Sequence, residues 1–286
     1  MFSVSLLLAT LVLHRVTSFS TAVATNLFLF GYAGAAVAIL IGLVAFVQIW
    51  RTGFGGAGRV ALGVLLPVVM FAGPVGYAIA FHNLPRINDV TTDLTSPPRF
   101  ALLAKRTDGA NSSAYSGQKF AEQQAMAYPD LRTLVLERSA EEAFDLVEEA
   151  VRKLRWRVVA AEPPTGRPAK AGILEATDQT MIVGFTDDIV VRVDGSANRA
   201  RIDVRSASRY GSFDFGQNAA RARRFLAEVQ HRAEATAIAS RRGTTRARAL
   251  LKRQKAGDPE KAGSRTGRGP AQSSVPRAPA QKERQR

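Results

Sequence analysis

The chain has no cysteine, and its three histidines, His14, His82 and His231, are far apart in the sequence. The absence of cysteine excludes disulfide bonds, thiolate nucleophiles and Cys-ligated metals. The histidines lack the close spacing of a metal site. Ser206 and Ser208 have no neighbouring histidine base, and no Gly-rich phosphate loop or nucleophile elbow occurs. The sequence therefore predicts no metal, no cofactor and no catalytic residue.

Acidic residues are missing from the first 81 positions, where Arg15, Arg51 and Arg59 are the only formal charges. Residues 27–49 and 60–81 are long apolar runs within this region. About 20 apolar residues are enough to cross the hydrocarbon core of a bilayer. We therefore expect transmembrane helices over 27–49 and 60–81 in a membrane segment that comprises residues 1–83.

The first apolar stretch, residues 2–20, is interrupted by His14 and Arg15. It is short for a complete crossing, so a short first span is one interpretation and a signal peptide is the other. The stretch lacks the basic start and the small-residue cleavage site of a signal peptide. The absence of these two signal-peptide features favours a short span.

Small side chains recur every four residues along the run 27–49, at Gly34, Ala38 and Gly42. Such a stripe lets a second helix approach closely. We expect it to pack the spans of one bundle together, with a second protomer as the alternative.

The connection from Arg51 to Arg59 is rich in glycine and contains two arginines. The positive-inside rule places such a connection in the cytoplasm, so the chain after residue 81 lies on the other side. The sequence thus predicts a multi-pass protein of a bacterial inner membrane, with its soluble domain in the periplasm and the lipid bilayer as its first partner.

The net charge of +15 is concentrated at the C-terminus. Residues 82–240 carry 22 basic and 21 acidic side chains, whereas residues 241–286 carry 14 Lys and Arg against three acids. The balanced middle region does not suit nucleic acid, which is not an expected partner. The basic tail, 241–286, has the composition of a disordered segment. It is a solvated end, a contact for anionic lipid or another envelope polyanion, or, if it faces the cytoplasm, a weak nucleic-acid contact. The predicted topology disfavours the last of these. No feature identifies a protein partner.

A soluble domain is expected over residues 129–240, after an extended linker, 84–128, that is rich in Pro, Asp and Thr. Ser139 and Glu142 form a capping box that opens an amphipathic helix, and Asp214 precedes a long final helix. Strand patterns occur at 131–137, 156–161, 173–177, 181–185, 189–194 and 201–206.

The predicted order, one strand, a helix, four or five strands and a helix, is typical of an α+β domain with an antiparallel sheet and two helices. In the last strand Ile202 and Val204 alternate with charged residues. This alternation predicts a sheet with one face exposed to water.

Residues 187–192 (DDIVVR) and 204–218 (VRSASRYGSFDFGQN), followed by Arg221, form a long polar motif. With this motif, residues 84–229 resemble the domain of unknown function 1499 family. The resemblance implies such a domain behind membrane spans and brings no established activity. Many members carry a Cys beside an Asn ahead of the domain, and this Cys-free chain departs from that pattern.

The densest polar cluster lies between the last strand and the final helix, and its members are Asp187, Asp188, Arg205, Ser208, Arg209, Asp214, Asn218 and Arg221. Several arginines beside a helix N-terminus could bind a carboxylate or phosphate. The other interpretation is structural, with Asp214 as a helix cap and arginines paired with Asp187 or Asp188 across the sheet. Adjacent residues of a strand point to opposite faces, so these two acids cannot easily share one substrate.

The sequence favours a binding or scaffolding module of the cell envelope. The alternative is an envelope enzyme that acts on an anionic substrate, with Arg205, Arg209 and Arg221 as electrostatic contacts and Asp188 or Asp214 as acid or base. Arginines that converge on an open pocket would favour a ligand, whereas arginines that are all paired with acids would favour a structural role.

Overall fold

The computed structural model describes residues 2–17, 19–80, 82–106, 109–166 and 170–256. The chain divides into two units, Met1–Ala235 and Thr236–Arg286. The first contains three N-terminal helices and a domain with an antiparallel sheet and helices. This arrangement confirms the predicted sequence of apolar helices followed by an α+β domain.

The N-terminal helices are α1 (Phe2–Val16), α2 (Thr21–Thr52) and α3 (Ala57–Ala80). Among the described residues, α2 and α3 are long and apolar enough to cross a membrane. Helix α1 has 15 residues, which corresponds to a length of about 22 Å and is shorter than the hydrocarbon core. Only 11% of the most apolar part of α2 and 6% of that of α3 is buried. The remaining described chain therefore leaves most of their apolar surface uncovered. The predicted end of the last span, residue 81, lies outside the described residues.

The small residues of α2 receive neighbouring helices of the same chain. A Cβ at Gly34 would lie 2.8 Å from Ser3 Oγ of α1, and a Cβ at Gly42 would collide with Val64 of α3. Glycine thus permits close contacts on both sides of α2, because a side chain at either position would need the space that the neighbouring helix fills. The stripe packs the helices of one bundle, as predicted.

The domain is built on a six-stranded sheet with the order β1-β6-β5-β4-β3, and β2 also pairs with β6. All pairs are antiparallel. The strands are β1 (Asp89–Thr91), β2 (Leu134–Leu136), β3 (Arg157–Glu162), β4 (Gly172–Gln179), β5 (Thr186–Gly195) and β6 (Ala200–Ser208). The domain helices are α4 (Gln118–Ala127), α5 (Ala140–Lys153) and α6 (Gln217–Ala256).

One side of the sheet, here called the helix face, packs against α5 and the first part of α6. Ser139 Oγ accepts a hydrogen bond from Glu142 N at 3.1 Å, which confirms the predicted cap of α5. The apolar stripe of α5 is buried, including Phe144 and Val147, and the indole of Trp156 stacks on Phe225 of α6 at 5.4 Å. Apolar burial between these helices and the sheet forms the main core.

The opposite side, here called the segment face, is covered by residues 92–106 and 109–117. Phe100 and Leu103 of this segment form a small buried cluster with Val190 and Ala207 of the sheet. Glu175, nearly fully buried, accepts hydrogen bonds from the backbone N–H groups of Ala101 and Leu103. The prediction of a water-exposed face is therefore wrong for the centre of the sheet. At the centre, the charged side chains of this face are paired and covered, as burial of charge requires.

Two local predictions are wrong because the contacts of the folded chain outweigh the local propensity of the sequence. Residues 181–183 form a turn between β4 and β5, although residues 181–185 have the apolar composition of a strand. Arg106 belongs to the predicted extended linker, 84–128, yet its side chain is buried in the domain, 5% exposed beside Asp188.

The predicted linker also contains structure. It includes β1, a short 3-10 helix (Leu102–Ala104) and α4. Gln124 of α4 donates its side-chain N–H to Thr91 O at 2.6 Å and accepts from Thr91 N at 3.0 Å, so its carboxamide bonds both backbone groups of a residue in β1. The segment is ordered by such contacts.

The predicted disordered tail begins inside a helix, because α6 continues to Ala256. Residues 257–286 of that tail lie outside the described residues.

Candidate functional site

The predicted polar cluster is divided between the two faces of the sheet. Side chains alternate along β5 and β6, so neighbouring members point in opposite directions. The helix face holds Asp187, Ser208, Asp214, Asn218 and Arg221, and the segment face holds Asp188, Arg205 and Arg209. Asp187 and Asp188 lie on opposite faces, as the sequence predicted.

Arg221 is the centre of the helix-face cluster and is 2% exposed. Its guanidinium donates to Asp178 Oδ2 at 2.8 Å, to Asp187 Oδ2 at 2.7 Å and to Asn218 Oδ1 at 2.8 Å. Burial alone would lower the pKa of Arg221, but the charge of Asp187 and the bonds to Asp178 outweigh it and raise the pKa. The guanidinium is enclosed by its own partners and is not presented to a ligand.

Asn218 and Asp214 complete this cluster at the start of α6. Asp214 Oδ2 accepts from Asn218 N at 2.8 Å, and Asp214 Oδ1 accepts from Gly216 N at 2.9 Å, which confirms Asp214 as the helix cap. The Asn218 amide donates to Ser208 Oγ at 3.0 Å. Burial raises the pKa of the Asp214 carboxyl, although these N–H donors counteract it. The arrangement fixes the junction between β6 and α6.

Arg205 lies on the segment face and is 1% exposed. It makes a bidentate pair with Asp89, with Nε 2.9 Å from Oδ1 and Nη2 2.7 Å from Oδ2. Its guanidinium lies between the rings of Phe100 and Tyr115, at 4.9 Å and 5.3 Å from their centroids. Burial raises the pKa of Asp89, and the bonds from Arg205 only partly offset it. The Arg205 guanidinium is thus occupied by buried groups of the protein, and its role is structural.

Asp188 is fully buried and contacts two arginines. Arg209 Nη2 lies 2.7 Å from Asp188 Oδ1, and Arg106 Nε lies 3.1 Å from Asp188 Oδ2. One carboxylate therefore faces two guanidinium groups. The Arg209 side chain is 24% exposed and forms the open edge of this cluster.

A groove of about 630 Å³ opens beside Arg209 at one end of the segment face. Four arginines line it, and we call it the arginine groove after Arg15, Arg155, Arg157 and Arg209. The remaining lining residues are Leu103, Val159, Thr177, Asp178, Gln179 and Thr186.

The charges of the arginine groove are unbalanced. Among the residues that the structure describes, Asp178 is the only acid in its lining, and the carboxylate of Asp178 is already bonded to the buried Arg221. Among the described residues, the side chains of Arg155 and Arg157 have no hydrogen bond or ion pair with the protein, and both residues are exposed. Guanidinium groups with free donors favour phosphate and carboxylate oxygens, so the groove has the chemistry of an anion site.

Arg155 reaches the groove from an unusual backbone conformation. Its φ is +59°, in the left-handed region, directly after α5. Arg155 N donates to Arg152 O at 3.1 Å and Trp156 N to Val151 O at 3.2 Å, which is the hydrogen-bond pattern of a Schellman cap. Glycine is the usual residue at this position, because a Cβ is disfavoured there. An arginine at a strained position where glycine is usual is consistent with a functional role for its side chain.

Of the predicted site residues, Arg209 alone lines the described groove. Arg155 and Arg157 are not among the predicted site residues; they flank the buried Trp156 at the start of β3. Their alternation with an inward Trp is the local signal for two exposed arginines, one just before β3 and one at its first position. Arg15 comes from α1, and its place in the groove depends on a tertiary contact that no local pattern predicts.

The fold defines an α+β domain that follows apolar helices and carries an arginine-lined groove at one end of its sheet. Residues 89–229 match the sequence model of the family described as "Protein of unknown function (DUF1499)", so this segment is a domain of that family. No curated protein is significantly similar to the chain.

Proposed function

We propose that the protein is a membrane-anchored module that binds a small anionic group, a phosphate or a carboxylate, in the arginine groove. The observation that carries the proposal is a cavity lined by four arginines, in which the one acid among the described lining residues, Asp178, is already paired with Arg221. Arg155 and Arg157 retain free donors, and bidentate bonds to an oxyanion would use them.

The groove is a better ligand site than the buried parts of the predicted cluster. Arg205 and Arg221 already bond acidic partners in enclosed positions, and a ligand would have to displace those carboxylates. Arg209 differs because it is partly exposed and shares Asp188 with Arg106. In this proposal Arg209 is a ligand contact, while Ser208, Asp214 and Asn218 support it through the fold.

Membrane anchoring is supported by the uncovered apolar surface of α2 and α3. A removable signal sequence would have no need of a defined contact with the mature domain, yet both ends of this helical region contact it. Tyr77 of α3 lies edge-on to Phe215 at 4.7 Å, and His14 of α1 donates from Nδ1 to Val183 O at 2.8 Å. These contacts favour a permanent anchor that holds the domain at a bilayer surface.

The proposed orientation has the α2–α3 connection in the cytoplasm and the domain on the opposite side of a bacterial inner membrane. Leu7 lies against Gly31 and Ser3 against Gly34, so α1 and α2 run in opposite directions. The domain therefore lies at the end of α2 that is distant from Arg51. The two arginines around the connection support this orientation.

Binding is favoured over catalysis in this groove. The acids considered as acid or base, Asp188 and Asp214, are bonded to arginines and to a helix N-terminus. The hydroxyl groups in the lining belong to Thr177 and Thr186. His14, in α1, uses Nδ1 for Val183 O and Nε2 for Thr21 Oγ1, so it is not poised as their base.

The test is calorimetric titration of the detergent-solubilised full chain with inorganic phosphate. The variant Arg155→Gly/Arg157→Gln is expected to bind phosphate about tenfold more weakly, because it loses two guanidinium groups. The matched control is Arg199→Gln, an exposed arginine in the connection between β5 and β6, which should bind normally. Absence of saturable binding to the wild type, or equal binding by the double variant, would overturn the proposal.

A further inference from the structure

The turn between β4 and β5 exposes two large apolar side chains. Met181 is 88% exposed and Ile182 is 75% exposed. The turn is closed by Thr180, whose N–H donates to Phe185 O at 2.9 Å and whose Oγ1 accepts from Phe185 N at 3.0 Å. The turn is therefore ordered, and its exposed Met181 and Ile182 side chains form an apolar tip that does not contribute to the core of the domain.

This tip is held against the end of α1. His14 Nδ1 donates to Val183 O at 2.8 Å, and the His14 ring lies edge-on to Phe185 at 5.7 Å. Arg15 donates to Thr180 O at 3.3 Å. The tip therefore lies at the level where the apolar helix α1 ends and α2 begins.

Helix α1 presents an exposed apolar surface just before this point, which includes Leu8, Val12 and Val16. In a membrane-anchored chain, such a surface faces lipid, and the end of the helix lies at the interface. Because the turn is tied to that end, Met181 and Ile182 reach the same depth. Apolar side chains at this depth transfer from water into the headgroup and acyl boundary.

The arginine groove lies next to the turn. Gln179 and Thr186, which flank the turn on β4 and β5, line the groove together with Arg15 of α1. A groove built partly from the end of an anchored helix is fixed beside the layer of lipid phosphates. Long arginine side chains suit this layer, because their stems lie in apolar surroundings while their guanidinium groups bond phosphate.

We propose that the tip formed by Met181 and Ile182 inserts into the bilayer interface, and that the arginine groove takes the phosphate of an anionic lipid headgroup. This inference rests on the proposed function, since it names the source of the anion that the groove binds. A lipid is favoured over a soluble anion because Arg15 and the tip hold the groove at the headgroup layer.

Insertion of the tip can be measured at a single label, because the chain has no cysteine. Ile182→Cys carries an environment-sensitive fluorophore in vesicles of phosphatidylcholine and phosphatidylglycerol. Met126→Cys is the control, since Met126 of α4 is 78% exposed. The label at 182 should emit at shorter wavelength and be quenched by nitroxide-bearing lipid, while the label at 126 should be quenched by aqueous iodide. Equal quenching of both labels by iodide would overturn the insertion.

The ligand is tested by native mass spectrometry of the solubilised full chain, titrated with phosphatidylglycerol or phosphatidylcholine and, separately, with inorganic phosphate. The wild type and Arg199→Gln should prefer phosphatidylglycerol on the order of tenfold, and Arg155→Gly/Arg157→Gln should lose that preference. If phosphate binds in the groove and neither lipid is preferred, the lipid inference fails and the anion-binding function stands. If inorganic phosphate does not bind through Arg155 and Arg157, the anion-binding function fails, and the lipid inference that rests on it fails too.

Discussion

Arg205 and Asp89 form a buried bidentate ion pair that joins the last strand of the sheet, β6, to the three-residue strand β1 at its edge. Arg205 Nη2 lies 2.7 Å from Asp89 Oδ2, and the two side chains are 1% and 6% exposed. The pairing register aligns Asp89 with Ala207 and Thr91 with Arg205, so the ion pair joins neighbouring strands, β1 and β6. The ion pair thereby fixes the linker, which includes β1, to strand β6 of the sheet.

Arg205→Ala is expected to destabilise the domain by about 3–5 kcal/mol, because it leaves the Asp89 carboxylate buried without its partner. Denaturant unfolding of the solubilised chain, followed by the fluorescence of Trp156, measures this change. Arg205→Met/Asp89→Asn should recover much of the loss, since neither residue then carries a charge. A variant Arg205→Ala that unfolds like the wild type would contradict a structural role.

Arg155→Gly should separate stability from binding. Removing the Cβ from a left-handed residue relieves backbone strain, so the free energy of unfolding should rise by up to about 1 kcal/mol. Anion binding should weaken, since a guanidinium group of the groove is lost. Arg155→Ala keeps the strain and loses the same group, so it should bind as weakly without the gain in stability. Equal unfolding midpoints for the two variants would show that the conformation carries no strain.

Tyr115 should be among the last tyrosines to ionise. Burial, with a contribution from the charge of Asp89, raises the pKa of the Tyr115 phenol from 10.0 to about 12. The fold favours the neutral phenol, so its contribution to stability is complete below pH 10 and is lost as the pH rises through about 12. Alkaline titration of phenolate absorbance should show a late component that Tyr115→Phe removes. Loss of a component near pH 10 instead would contradict the raised pKa.

Reporter fusions test the proposed orientation. A reporter joined after Arg51 should be active in the cytoplasm, and one joined after Ser240 should be active only outside it, because the arginines around the first site favour retention. A cytoplasmic signal from the second fusion would overturn the periplasmic location of the domain.

The solubility of the full chain tests membrane anchoring independently, since a chain that remains monodisperse without detergent is not anchored.

Local chemistry was sufficient to predict the parts of the fold that local contacts determine. Ser139 caps α5 through Glu142 N, and Asp214 caps α6 through Asn218 N. Both are interactions within one turn of helix, which a sequence displays directly. The alternation along β5 likewise predicted the separation of Asp187 from Asp188.

The covered segment face could not be predicted in this way, because it depends on long-range pairs. Arg192 bonds Asp93 at 2.8 Å and Asp203 at 2.9 Å. In the sequence, Arg192 and Asp203 are typical of charges on an exposed strand face. Only the fold brings Asp93, from a segment without periodicity, next to Arg192. The turn at Met181 and Ile182 was mistaken for a strand for a related reason, since apolar side chains at a surface resemble those of a core.

The arginine groove was missed in the same manner. Arg15 lies in α1 and Arg157 at the start of β3, far apart in the sequence, and they meet only because α1 contacts the turn between β4 and β5. The dense motif of β5, β6 and α6 attracted the prediction instead. Its arginines outside the groove, Arg205 and Arg221, are occupied by Asp89 and Asp187.

The hydrogen bonds between Gln124 and Thr91 have a consequence for how the folded chain meets other chains. An unpaired strand edge invites a neighbouring polypeptide to add as a further strand. The Gln124 carboxamide occupies both backbone groups of Thr91 as a passing strand would. A single side chain therefore shields this margin of the sheet against intermolecular β-pairing, and the domain keeps its short first strand without offering it as a template for aggregation.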